Sequence, residues 1–248
     1  MNRVMKFVLL ASLLGNLTIV YVGYKALMYR DNINYWLDKY TAVVDEFSGR
    51  HVYAEENRAL HSSATVDNRV VFLGSQVISD WNVGKSFPDW EAIGRGVDSQ
   101  RVAGFLLRFV PDVIELKPRA VVIEISSYNF RPETPLPEIR DYVTSMALLA
   151  SGNDILPVIG TVIPPRRDMS VLGDCHLADS VAVFNHWLRD RSRDGSWTII
   201  DFNRALADSA GFLRRDLSSS AIDPNRTGYR ILTEATSAVL DSLMQASL

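Results

Sequence analysis

The sequence holds one cysteine, Cys175, in 248 residues, so no disulfide can form within the chain. A lone cysteine fits either side of a membrane and leaves the redox compartment open. Histidine is scarce as well: there are four, and none follows His186. Any loop near the C-terminus must therefore work without an imidazole. There is no long basic run, and 26 Lys and Arg against 29 Asp and Glu give a net charge of -3. Nucleic acid is thereby excluded as an expected partner. No internal repeat or low-complexity tract occurs. Hydrophobic residues at 47% and charged residues at 22% describe a globular chain, long enough for one substantial α/β domain and an appendage.

Charge is absent altogether from residues 7–24. "MNRVMK" precedes this run and "FVLLASLLGNLTIVYVG" fills it. Extended to Tyr29, with Lys25 snorkelling to the interface, the run is long enough to cross a bilayer. The following "YVGYKALMY" offers no small-x-small cleavage site, so an uncleaved signal anchor over residues 1–29 is expected. Arg3, Lys6 and the amino terminus lie before the span. The positive-inside tendency then keeps the N-terminus in the cytoplasm and exports the remainder. The expected location is the inner membrane, single-pass, with the C-terminal domain extracytoplasmic.

Residues 30–68 are read as a juxtamembrane segment. Within 31–47, Ile33, Trp36, Leu37, Tyr40, Val43, Val44 and Phe47 recur at helical spacing. Such a stripe either packs on its own domain or docks an envelope partner beside the membrane. "GRHVYAEENRALHSSATVDN" carries no sustained period and reads as a linker with some helix, with His51 and His61 on its surface. From Arg69 onward short apolar runs alternate with longer helical patterns. Strands are predicted at 70–73, 120–125, 156–161 and 198–201, and helices at 100–116, 138–150, 178–190 and 227–245. Apolar runs without alternation suit strands covered on both faces. The order implies a three-layer α/β/α sandwich around a central parallel sheet over 69–248, whose ligands sit at the carboxyl ends of the strands.

Five blocks over 69–243 carry a resemblance. They are "VVFLGSQVISDW", "GRGVDSQRVAG", "KPRAVVIEISSYNF", "PVIGTVIPPRR" and "SAIDPNRTGYRILTEA". In this order they resemble the SGNH (GDSL-type) hydrolase family, whose first block reads strand–Gly-Asp-Ser-x-x-x-x-Trp and whose last reads Asp-x-x-His-Pro-Asn-x-x-Gly-Tyr. The resemblance implies a flavodoxin-like fold. In an intact member it also implies a serine nucleophile, a histidine base oriented by an aspartate, and an oxyanion hole.

Carried over by position, the serine falls on Gln76 and the aspartate before it on Ser75. The second-block glycine falls on Ser99, and the third-block asparagine on Tyr128, with Asn129 one place later. The last block's aspartate falls on Ser220 and its histidine on Asp223. A glutamine amide is a poor nucleophile, and an ordinary carboxylate is a weak base at neutral pH. The resemblance thus implies a degenerate member with no expected catalytic residues, cofactor or metal. Ser75, Gln76, Ser99, Tyr128, Asn129 and Asp223 become ligand-binding candidates for a carbohydrate or acyl group. The alternative is an esterase or acyltransferase with a rearranged site, using Ser75 and His176 of the cluster Asp174-Cys175-His176. His186 reads as packed or surface-exposed and Arg95 as a brace for the second-block loop. Arg166 and Arg167 read as a solvated pair or an anion site.

Overall fold

The computed structural model describes residues 2–61, 67–169, 171–172 and 175–245, with backbone alone at 38–39, 41–46, 171–172, 175 and 244–245. It divides into two compact units, one ending at Phe47 and one starting at Ser48.

The first unit is a single helix, α1 (Arg3–Glu46), of 44 residues. It has no proline to break it, and the Asn2 carboxamide caps it by accepting from the Val4 N–H at 2.9 Å. At 1.5 Å per residue it is about 66 Å long, roughly twice a hydrocarbon core. Its described side chains are all exposed, and its Arg3–Leu37 stretch is long and apolar enough to cross a membrane. The expected anchor and the amphipathic stripe are therefore one unbroken helix. Val43 and Val44 of the stripe lie outside the described side chains.

The second unit is the α/β sandwich. Its sheet comprises β1 (Arg69–Gly74), β2 (Glu91–Gly96), β3 (Ala120–Ile123), β4 (Leu156–Gly160) and β7 (Thr198–Ile200). The order is β2-β1-β3-β4-β7 and every pairing is parallel, the doubly wound order with its switch point between β1 and β3. A short antiparallel pair, β5 (Val171–Leu172) with β6 (Cys175–His176), lies outside that sheet.

Alternate strand residues feed the two faces. Val71, Leu73, Val121, Ile123 and Ile159 pack against α5 (Val102–Asp112), α6 (Leu136–Ser151) and α7 (Leu177–Arg193). Val70, Phe72, Val122, Val158 and Ile200 pack on the other side. There α3 (Gln76–Asp80), α4 (Val83–Ser86), α8 (Phe202–Leu206) and α9 (Arg226–Gln245) supply Ile78, Trp81, Phe87, Phe202 and Leu232.

Two differences from expectation have clear causes. β2 has no apolar run in the sequence: it reads Glu-Ala-Ile-Gly-Arg-Gly, and its last glycine serves backbone approach. A Cβ on Gly96 would sit 2.1 Å from the Ser79 amide nitrogen of α3. Second, residues 48–61 are part of the domain rather than a linker before it. α2 (Ala54–His61) docks through the buried Asn57. The Asn57 carboxamide donates to Asp112 at 2.6 Å and accepts from Arg95 at 2.7 and 2.9 Å. Arg95 also lies over the Tyr53 ring, at 4.6 Å from its centroid. A segment held by polar contacts shows no apolar period to read.

Candidate functional site

The carboxyl end of β1 carries Ser75 and Gln76, and that of β3 brings Glu124 against Ser75. Ser75 follows β1 and is buried. Its amide and hydroxyl both donate to one carboxylate oxygen of Glu124, at 3.1 and 3.3 Å. Gln76 begins α3, half-buried, and its side-chain amide donates to Asp80 at 2.6 Å, one helical turn on. The position on which the resemblance would put a nucleophile is thus spent on a local carboxylate contact.

Glu124 is the residue that sequence reading missed. It follows β3 directly, is buried, and its second oxygen has no hydrogen-bond partner among the described residues. Burial pushes its carboxyl up to about 7, the two hydrogen bonds from Ser75 oppose that, and nearby Asp223 adds to it. The signal was present as a lone acid inside the apolar run "AVVIEI". Gly74 leaves it room: a Cβ there would meet the Glu124 carboxylate at 2.7 Å and Ile78 at 2.4 Å.

The peptide joining Gly74 to Ser75 is gripped at both ends. Its N–H is held by Glu124. Its carbonyl accepts from the Arg108 guanidinium at 3.1 Å and from the Val97 N–H at 3.1 Å. Arg108 is fully buried, and it also binds Asp112 at 2.7 Å, Gln100 at 2.6 Å and the Arg95 carbonyl at 2.9 Å.

In the second block Ser99 is exposed and takes the left-handed conformation, φ 58°. A glycine adopts that conformation without cost, so the turn outlasts the substitution. In the third block the buried Asn129 works for the fold. Its carbonyl oxygen accepts from the Val102 N–H at 2.8 Å, at the start of α5, and its amide donates to the Ser126 carbonyl at 3.0 Å. Both ends of that side chain are committed to backbone, which argues against the expected contact with a ligand. Tyr128 is half-buried, with the Arg131 guanidinium 3.8 Å above its ring.

In the last block Ser220 donates to the Asp223 carboxylate at 2.6 Å, and its oxygen accepts from the Ile222 and Asp223 amides. The two residues expected to stand for an aspartate and a histidine thus close a small turn on each other. Tyr229 lies close to this group. Burial first, then the charges of Asp80, Glu124 and Asp223, raise its hydroxyl well above the usual range, and it donates to the Val77 carbonyl at 3.1 Å.

The histidines are placed elsewhere. His176 is exposed at the start of α7, 3.9 Å from Asp179. His186 is exposed 3.4 Å from Asp190. His61 Nδ1 donates to the Asn57 carbonyl at 2.7 Å, and the ring lies 3.6 Å from Glu115. Asp174 and the Cys175 side chain lie outside the described residues. Ser75 is thus paired with Glu124 rather than with an imidazole. Arg95 braces the second block as expected, but against α2. Arg166 pairs with Asp168, and Arg167 lies over Phe212 at 4.3 Å.

The sequence profile of the GDSL-like lipase/acylhydrolase family matches residues 75–231. Solved structures repeat the fold. A GDSL-like lipase from Bacteroides thetaiotaomicron superposes with a TM-score of 0.71 at 22% identity, over 80% of this chain and 100% of that one. A member of the lipolytic G-D-S-L family from Veillonella parvula gives 0.57 at 18%, over 69% and 97%. A catalytic mutant of an acetylxylan esterase from Geobacillus stearothermophilus gives 0.58 at 14%, over 71% and 96%. No curated protein matches the sequence. With the five blocks in order, the parallel sheet and the profile spanning more than half of its length, this chain belongs to the GDSL-like lipase/acylhydrolase family.

Proposed function

We propose that the chain is a membrane-anchored, extracytoplasmic member of this family that has lost the hydrolase triad. It would act as a binding or assembly component of a cell-envelope system that handles a carbohydrate or acyl group. One observation carries the loss of chemistry: the hydroxyl nearest the nucleophile position, on Ser75, is buried and turned onto Glu124. Gln76 and Asp223 are meanwhile engaged with Asp80 and Ser220. A serine that attacks must reach substrate and lose its proton to a base aimed outward. The anchor rests on the Arg3–Leu37 stretch, and the orientation on Arg3 and Lys6 before it.

The test is direct. The full chain, solubilised from membranes that retain it through an alkaline wash, will not hydrolyse short aryl esters above background, and a fluorophosphonate probe will not label it. Release by the wash removes the anchor from the reading.

A second reading is favoured by Glu124 itself. A carboxyl titrating at about 7 is matched to general base work at neutral pH, and it touches a serine hydroxyl. Stoichiometric labelling abolished by Ser75→Ala, with turnover lost on Glu124→Gln and kept on His176→Ala, would replace the first reading by a Ser75–Glu124 hydrolase.

A further inference from the structure

Beside the end of α3 the domain has a cavity of about 680 Å³. The end of α3 and α4 form one wall, and the first turns of α9 form the other. A volume of this size suits one or two sugar rings.

Its charge is one-sided. Lys85, Arg226 and Arg230 line it, against the single carboxylate of Asp80. Lys85 and Arg226 have no acidic partner among the described residues, and Arg230 is engaged only with Glu234, an exposed pair four residues apart on α9. Such a surface pair holds weakly and yields readily to a better partner. α9 runs for 20 residues from Arg226, so its positive end adds to the same field. Asp80 is itself restrained, because the Gln76 amide holds its carboxylate at 2.6 Å.

The rest of the lining is aromatic and hydroxylated. Trp81 and Tyr229 lie with ring centroids 5.8 Å apart. The Trp81 indole N–H is shared between the Ser86 and Thr233 hydroxyls, at 3.1 and 3.3 Å. Trp81 is buried among Phe72, Phe87 and Phe202, so the half-buried Tyr229 ring, the hydroxyls and the cations are what a ligand meets, and they match hydroxyl edges and an anionic substituent.

We propose that this cavity binds a sugar bearing a carboxylate or phosphate, with Lys85 and Arg226 taking the anion. Gln76 acts as a positioning residue that keeps the Asp80 carboxylate off those cations. The proposal rests on the reading of this domain as a ligand-binding one, and it is independent of whether Ser75 attacks esters. It gives Gln76 a use that a serine at the same position, whose hydroxyl is two bonds shorter than the glutamine amide, would not supply.

The experiment is calorimetric titration of the full chain in neutral detergent micelles at low salt. The probes are trigalacturonate, glucose 1-phosphate, neutral cellotriose and inorganic phosphate. Saturable binding is expected for trigalacturonate or glucose 1-phosphate, and the probe that binds identifies the anion. Cellotriose and inorganic phosphate should bind at least tenfold more weakly than that probe. Lys85→Ala with Arg226→Ala should weaken binding at least tenfold, as should raising the salt. Both side chains are exposed, so the fold is not at stake. Gln76→Ala should weaken binding severalfold, and Asp80→Asn made in the same chain should restore it, a rescue that a merely structural Gln76 would not show.

Binding unchanged in the double variant overturns the proposal. So does cellotriose binding as tightly as the charged sugars, which would make the cations irrelevant. Inorganic phosphate binding as tightly overturns it too, in favour of a free-phosphate site. Absence of binding by every probe removes the proposal while leaving the absence of ester hydrolysis standing, and detection of hydrolysis would do the reverse.

Discussion

Two buried polar sites meet at the end of β1 and treat charge in opposite ways. On one side Arg108 and Asp112, both fully buried, pair with each other, and Asn57, Gln100, Arg95 and the Gly74 carbonyl use up their remaining groups. On the other side Glu124 is also buried but, among the described residues, has no cation, only the two donors of Ser75, and one oxygen is left unpartnered. The first site keeps its charges because each desolvated ion has a counter-ion and full hydrogen bonding. The second answers by moving its titration toward neutrality. In this domain burial alone does not decide protonation; the partner does. The same contrast separates scaffold from candidate site, since completed networks rigidify and uncompleted ones are where ligands and protons find something to do.

The largest effect should come from breaking the completed site. Asp112→Ala leaves the Arg108 guanidinium buried and unpaired, at a cost of about 3–5 kcal/mol. In a unit of this size that lowers Tm by roughly 10 °C, read by calorimetry or circular dichroism. A variant as stable as the parent would mean that the pair is no stronger than its desolvation cost.

Next comes the uncompleted site, where the sign depends on pH. The folded Glu124 carboxyl titrates at about 7 against 4.5 for a free glutamate carboxyl. Between these values the folded chain holds a proton that the unfolded chain has released. Its share of stability is therefore fully present below about 4.5 and is lost as pH rises through 7. The loss levels off there, at on the order of 3 kcal/mol. Glu124→Gln keeps the shape and removes the titration. Denaturation midpoints of the variant should match the parent near pH 4.5 and exceed it at pH 8. Parallel pH curves would place the charge elsewhere.

The smallest of the three effects concerns α2. Asn57→Ala strips partners from Arg95 and Asp112 together and should cost about 2 kcal/mol in urea denaturation. A chain begun at Ser48 should fold, whereas one begun at residue 67 should show at least the same deficit. Equal stability of the two shortened chains would return 48–61 to the status of a linker.

How much was legible divides along the same line. Four of the sheet's strands and the four long helices of the domain show in the sequence, because continuous apolar runs and 3.6-residue stripes report burial on two faces or one. β2 does not, since it carries Glu91 and Arg95 and its Gly96 encodes close backbone approach instead of side-chain burial. Gln76, Ser99, Tyr128, Ser220 and Asp223 were locatable through the order of the blocks. Asn129 shared that neighbourhood, yet its side chain turned inward to cap α5. Glu124 was visible only as an acid out of place, and nothing in one dimension tied it to Ser75, 49 residues away.

By itself the sequence determined the apolar N-terminal run, the α/β alternation, the family blocks and the substitutions within them. All of these are local patterns, and local physics writes them residue by residue. Only the tertiary structure decided that the apolar N-terminal helix continues unbroken to Glu46, that α2 belongs to the domain, and that Ser75 faces Glu124. It alone gathered Lys85 and Arg226 around one cavity. Those outcomes depend on which hydrogen bonds a buried polar group can reach across the chain, and that choice is made by packing rather than by spacing along the sequence.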